Sequence, residues 1–149
     1  LRDADREIAT LQRELAANPQ NAEVLSNLLR LYVETGQNDL ARAQLEEAAR
    51  VFGDSPEFLK FATEFSNNSG QWQAGLGMAR KLVTVAPNDP NAWLLLARFE
   101  FANRQTNAFA EAARKAIQLG GMQARIAIAN DPLYLMVRGS PDFQRLVQQ

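Results

Sequence analysis

The sequence predicts an all-α chain in which antiparallel helix pairs stack into an α-solenoid, and three observations lead there. Gly36 and Gly70 lie 34 residues apart, each at a turn between two segments with helical apolar spacing. Ser55-Pro56 and Asp89-Pro90 repeat with the same step of 34 residues. From Ala22 to about Met122 the helix–turn–helix pattern then runs three times in succession. A helix pair repeated in this way cannot bury its apolar face alone, so neighbouring pairs must share one core.

Taken in order, Asp3 to Ala17 reads as one helix with Ile8, Leu11 and Leu15 on a single stripe. Asp3, Asp5 and Glu7 lie near its start, where the helix dipole favours negative charge, and Asn18-Pro19 ends it. In the register of the later repeats it is the second helix of a partial unit, covering the open end of the stack. The first full repeat begins with Asn21 as N-cap. Its first helix carries Val24, Leu25, Leu28, Leu29, Leu31 and Tyr32, and Gly36 stops it. Asn38 is expected to cap the second helix, with Leu40, Ala41, Leu45, Ala48 and Ala49 facing inward.

Ser55-Pro56 opens the second repeat as a cap followed by proline at the first helical position. Phe58, Leu59, Ala62 and Phe65 face the core, Trp72 is expected where the two helices meet, and Gly75, Ala79 and Leu82 follow on the second helix. The third repeat starts at Asp89-Pro90, with Trp93, Leu96 and Ala97 on its first helix. Ala112, Ala113, Ala116, Ile117 and Leu119 lie on its second, and Gly120-Gly121 is expected to stop it. Two short helices begin at Asp131-Pro132 and Ser140-Pro141. The first carries Leu133, Leu135 and Met136, the second Phe143, Leu146 and Val147, as a lid for the last repeat.

At this point a family resemblance becomes specific. The tetratricopeptide repeat has a large residue, Leu, a small residue and Tyr on its first helix, then Ala, an aromatic, Ala and Pro. Those places read Leu25, Leu28, Leu29, Tyr32, Ala41, Leu45, Ala48 and Gly53 in the first repeat. The small residues let paired helices approach closely while large ones fill the gaps. Ser66 and Glu100 stand where the family has Tyr, Arg104 replaces the turn glycine, and Phe109 replaces a small residue. The tail resembles the C-terminal extension of many bacterial tetratricopeptide arrays. The resemblance implies a right-handed superhelix forming a single domain over residues 1–149. Its parts are a cap helix over 1–21, repeats over 22–55, 56–89 and 90–123, and capping helices over 124–149.

The chain has 149 residues and a net charge of −1, which gives no reason to expect nucleic acid as a partner. Charge is unevenly placed: residues 1–74 hold 7 basic and 12 acidic side chains, residues 75–149 hold 9 and 5. The plain reading is scatter on solvated faces; the sharper one is a dipolar stack whose ends attract each other or a charged partner. Cysteine and histidine are absent, which removes disulfides, thiolate chemistry and the commonest general base and metal ligand. No apolar run approaches the ~20 residues that cross a membrane. The chain begins at Leu1, as a piece of a longer protein would, so cytoplasm and periplasm both stay open.

Catalytic constellations do not assemble, and neither an enzymatic activity nor a cofactor is expected. Glu46-Glu47 are adjacent on a helix and do not face each other. Ser26, Ser66, Ser69 and Ser140 have no histidine to activate them. Gly75 and Gly77 form a GxG inside a helix, not at a strand-to-helix turn. Arg80-Lys81 and Arg114-Lys115 are basic pairs that the helix dipole alone would explain.

Surface recognition remains. In the family, the first helices of successive repeats line a concave groove that holds a peptide or helix of a partner protein. Carried over by register, the groove would show Ser26, Asn27, Arg30 and Glu34 from the first repeat, beside Glu23. Lys60, Phe61, Glu64 and Asn67 would come from the second, beside Asn68, and Leu94, Leu95, Arg98 and Phe101 from the third. Asn27 occupies a place where the family uses an amide to hold peptide backbone. The basic clamp for chaperone tails is not reproduced, since Ser26 and Phe61 stand where Lys and Asn would be needed.

Phe61, Leu94, Leu95 and Phe101, rimmed by Arg30, Lys60, Glu64 and Arg98, suit an amphipathic helix or mixed peptide. The competing reading is that the tail, or parts of the protein outside this sequence, fills the groove. A structural or self-associating segment of a larger bacterial protein is the alternative function. A periplasmic assembly factor of the cytochrome c biogenesis type is one resembling case.

Overall fold

A computed structural model describes residues 2–148, with Arg2 described by its backbone alone. Among the described residues there are helices and no strands. The elements are α1 (Arg2–Ala17), α2 (Ala22–Glu34), α3 (Asn38–Phe52), α4 (Pro56–Asn68) and α5 (Trp72–Val85). They continue with α6 (Pro90–Ala102), α7 (Thr106–Ala129), a 3₁₀ segment over Pro132–Val137, and α8 (Pro141–Gln148). The chain divides into two compact units, residues 1–58 and 59–149.

In the first unit α1 packs on α2, and α2 on α3. The stripe Ile8, Leu11 and Leu15 is buried, as are Val24, Leu25, Leu28, Leu29, Leu31 and Tyr32 of α2. Burying a Leu or Val side chain contributes roughly 1.5–3 kcal/mol, so this face holds the unit together. Gln12 Nε2 donates to the Tyr32 hydroxyl at 2.8 Å, tying α1 to α2. Asn21 caps α2, its side chain accepting from Val24 N at 3.2 Å. Asn38 does not act as a cap: Gln37 occupies the N-cap of α3 and makes no side-chain capping bond. Leu40 does not face inward either. It sits in the first turn of α3 and is 47% exposed, while Ala41 and Leu45 carry the buried stripe.

One turn recurs three times. Gln37 N bonds Tyr32 O at 2.7 Å, Gln71 N bonds Ser66 O at 2.9 Å, and Gln105 N bonds Glu100 O at 2.8 Å. This six-to-one bond closes a helix end only if the residue before the donor is left-handed. Gly36 and Gly70 meet that demand with φ of 75° and 70°. Arg104 meets it with φ of 61°, a conformation that a Cβ makes costly.

In the second unit α5 packs on α6, α6 on α7, and α7 on α8. Asp89 caps α6 by accepting from Asn91 N at 2.9 Å, with Pro90 following in the first turn. The core gathers Leu59, Ala79, Leu82, Leu96, Ala97, Phe99, Phe109 and Ala113, with Tyr134 and Phe143 from the tail. Trp72 sits edge-on to Phe99 with ring centroids 5.4 Å apart. Gly75 gives α5 its close approach here. A Cβ on it would lie 2.2 Å from Phe99 Cε1 and 2.7 Å from Ser66 Cβ. Ser66 and Phe99 thus meet where the backbone of α5 passes bare.

The stop expected at Gly120-Gly121 is a break rather than an end. Gly121 adopts φ 62° and ψ −137°, and the helix resumes as far as Ala129. In the tail Phe143, Leu146 and Val147 are buried as expected and Leu133 packs on the core, but two expected residues are not inward. Leu135 is 64% exposed and Met136 92%, whereas Tyr134 is buried. The segment Pro132–Val137 is a 3₁₀ helix, whose three-residue turn puts Tyr134 and Val137 on one face and leaves Leu135 and Met136 outside it. Tyr134 packs against Phe101, Phe109 and Phe143, with centroids 4.9, 5.0 and 5.9 Å apart.

Candidate functional site

The residues expected to bind a partner divide between the two units. On α2 in the first unit, Ser26 and Asn27 are half-buried, while Arg30 and Glu34 are exposed and paired at 3.2 Å. An exposed pair one helical turn apart adds only a few tenths of a kcal/mol, so both ends stay available to a ligand.

In the second unit the residues come from α4 and α6. Lys60 and Glu64 are exposed; Phe61 is half-buried and stacked on Phe65 with centroids 6.3 Å apart. Leu94 and Leu95 are half-buried hydrophobics packed against the core. The two helices are joined by Arg98, whose Nε donates to Asn67 Oδ1 at 2.8 Å. This bond links α4 to α6.

Two expected groove residues are committed elsewhere. Arg98 also pairs with the Asp131 carboxylate and lies over the Trp72 ring, 5.8 Å from its centroid. It is a bracket between helices rather than a free rim charge. Phe101 meets Phe109 at 5.4 Å and Tyr134 at 4.9 Å, so the tail packs against it and it turns away from the expected groove. On α4 and α6 the expected residues Phe61, Leu94 and Leu95 are each half-buried, and Lys60 and Glu64 are exposed.

Arg80 is likewise more than a charge placed for the helix dipole. Its Nε and Nη2 reach Glu100 Oε1 and Oε2 at 3.2 and 3.3 Å, and the Glu100 side chain is only 4% exposed. A carboxylate in the place of the family's tyrosine is tolerated because a two-pronged guanidinium satisfies both oxygens. Spacing marks Glu100 as a core-facing position, but it does not point to the exposed Arg80 as its partner 20 positions away.

Burial pushes the Tyr134 phenol well above its ordinary range. The Asp131 charge adds to that, while Arg98 opposes it. Among the described residues no cluster of three or more acidic side chains is arranged to hold a metal ion, and no helix is long and apolar enough to cross a membrane.

The sequence model of the tetratricopeptide repeat matches residues 2–64. Several solved structures share the fold. One is MamA, with a TM-score of 0.61 at 20% identity, covering 98% of this chain and 88% of that one. Another is the 41-end form of MamA from Desulfovibrio magneticus RS-1, with a TM-score of 0.65 at 16% identity, covering 97% and 80%. A third MamA structure gives a TM-score of 0.64 at 20% identity, covering 98% and 78%. A comparison with curated proteins finds no match. Residues 2–64 are tetratricopeptide-repeat sequence, and the chain has the all-α fold of helical-repeat proteins. Such repeats serve protein–protein interaction in general.

Proposed function

We propose that this chain is a non-catalytic scaffold that holds a peptide or amphipathic helix of a partner protein on the face of α4 and α6. The carrying observation is the Arg98–Asn67 bond at 2.8 Å. It links α4 to α6, with Phe61 on one and Leu94 and Leu95 on the other only half-buried. Apolar residues left partly in water next to Lys60 and Glu64 suit a ligand that brings both an apolar stripe and charges. Ser26, Asn27, Arg30 and Glu34 on α2 are proposed as further contacts for the same class of ligand, through Asn27 amide bonds to its backbone.

The test is capture of partners from lysate by the chain and by the double variant Phe61→Asp, Leu95→Asp. Capture should be lost while helical circular dichroism is unchanged. Equal capture by both refutes the assignment. The second reading, self-association, is favoured by the uneven charge, with acidic residues in excess over 1–74 and basic ones over 75–149. Light scattering at rising concentration decides it: a monomer throughout removes it.

A further inference from the structure

A cavity of about 1060 Å³ opens in the second unit between the end of α6, the start of α7, the 3₁₀ segment and α8. Its floor is apolar, made by Phe101, Phe109, Leu133, Val137, Phe143 and Leu146. Its lip is basic, with Arg104, Arg114 and Arg145 lining it against a single carboxylate, Asp142. Arg145 is neutralised by that Asp142. Arg104 and Arg114 are exposed and form no ion pair among the described residues. The cavity therefore offers two unmatched positive charges over an apolar floor.

The second observation concerns Arg104 itself. The three equivalent turns all need a left-handed residue, and at two of them glycine supplies it. The third holds an arginine at φ 61°. A strained side chain retained where glycine would fold better is the kind of outlier that points to a use for that side chain. Here the strained residue stands at the lip of the cavity.

We infer that this cavity is a second docking site, separate from the α4–α6 face, for a peptide segment carrying apolar side chains flanked by carboxylates. The apolar side chains enter between Phe101 and Leu146, and the carboxylates meet the Arg104 and Arg114 guanidiniums. Charge-assisted bonds to guanidinium set the preference for an acidic ligand, and the apolar floor sets the preference for an amphipathic one.

The experiment uses fluorescence anisotropy with the whole chain and a labelled peptide of alternating glutamate and leucine. Lysine–leucine and glutamate–serine peptides serve as controls. The glutamate–leucine peptide should bind and both controls should not. Arg104→Gly should weaken binding about tenfold or more, as the loss of one hydrogen-bonded charged contact does, while raising the melting temperature by about 4 °C. Arg114→Ala should weaken binding similarly. Phe61→Asp should leave it unchanged, which separates this site from the α4–α6 face. Equal binding of the lysine–leucine peptide, no binding of the glutamate–leucine peptide, or unaltered binding by Arg104→Gly overturns the inference. Sedimentation showing self-association that Arg104→Gly abolishes would seat a second copy in the cavity and overturn it as well.

Discussion

Arg80 of α5 grips Glu100 of α6 through two bonds of 3.2 and 3.3 Å, and the two ends of this pair live in different surroundings. The Glu100 side chain is 4% exposed and the Arg80 side chain 54%. Glu100 therefore depends on Arg80 far more than Arg80 depends on Glu100. Arg80→Ala should destabilise the second unit by about 2 kcal/mol, because it strands a buried carboxylate. Replacing both, as Arg80→Leu with Glu100→Met, should cost less than the single change. Urea unfolding of the three variants checks this; a double variant worse than Arg80→Ala refutes it.

Gly75→Ala sets two effects against each other. Alanine gains about 1 kcal/mol of helix propensity over glycine. The added Cβ, however, would stand 2.2 Å from Phe99 Cε1 and 2.7 Å from Ser66 Cβ. Neither neighbour can yield easily, since Phe99 and Ser66 are both fully buried. The clash wins, and a net loss of about 2 kcal/mol is expected. Phe99→Leu in the same chain should recover part of it. A thermal melt of Gly75→Ala equal to that of the wild type would show that α5 and α6 can move apart freely.

The repeat architecture was legible because it is written in periodic residues. Ile8, Leu11 and Leu15, the α2 stripe, and the caps Asn21 and Asp89 all lie where spacing and local chemistry put them. The sequence was misleading where a side chain's fate depends on a distant element. Leu135 and Met136 look like a buried stripe under an α-helical period, but the 3₁₀ turn exposes both and buries Tyr134. Leu40 sits at the right spacing in α3 and is still half in water. Of the residues expected to line the groove, Phe61, Leu94 and Leu95 are half-buried. The other engagements of Arg98 and Phe101 were not legible, because Asp131 and Tyr134 lie 33 residues beyond each, in a segment with no repeat register.

Tyr134 gives the chain an alkaline limit. Its phenol is held neutral in the fold, with burial as the first cause and the Asp131 charge as the second. A raised folded pKa stabilises fully below the unfolded value near 10, and that stabilisation is lost as pH climbs through the folded value. Above pH ~10 the wild type should lose melting temperature more steeply than Tyr134→Phe. Parallel losses in the two proteins would remove Tyr134 as the cause.

Asp131 has two tasks that substitution can separate. Its Oδ1 accepts from Leu133 N at 2.9 Å, and its carboxylate pairs with Arg98. Asp131→Asn keeps an oxygen for the cap and should cost about 1 kcal/mol; Asp131→Ala loses both roles and should cost about 2 kcal/mol. Faster amide exchange over residues 132–148 in both variants, larger in the alanine one, is the expected pattern. Equal exchange would mean that the cap contributes nothing.

The bonds of Arg98 also make a path for tension. Gln144 of α8 holds the Arg138 carbonyl at 2.6 Å, and Arg138 holds the Asp131 carbonyl at 3.0 Å. Asp131 grips Arg98, and Arg98 grips Asn67 of α4. A pull on the C-terminal helix is thus shared with α6 and α4 instead of prying α7 open at Gly121.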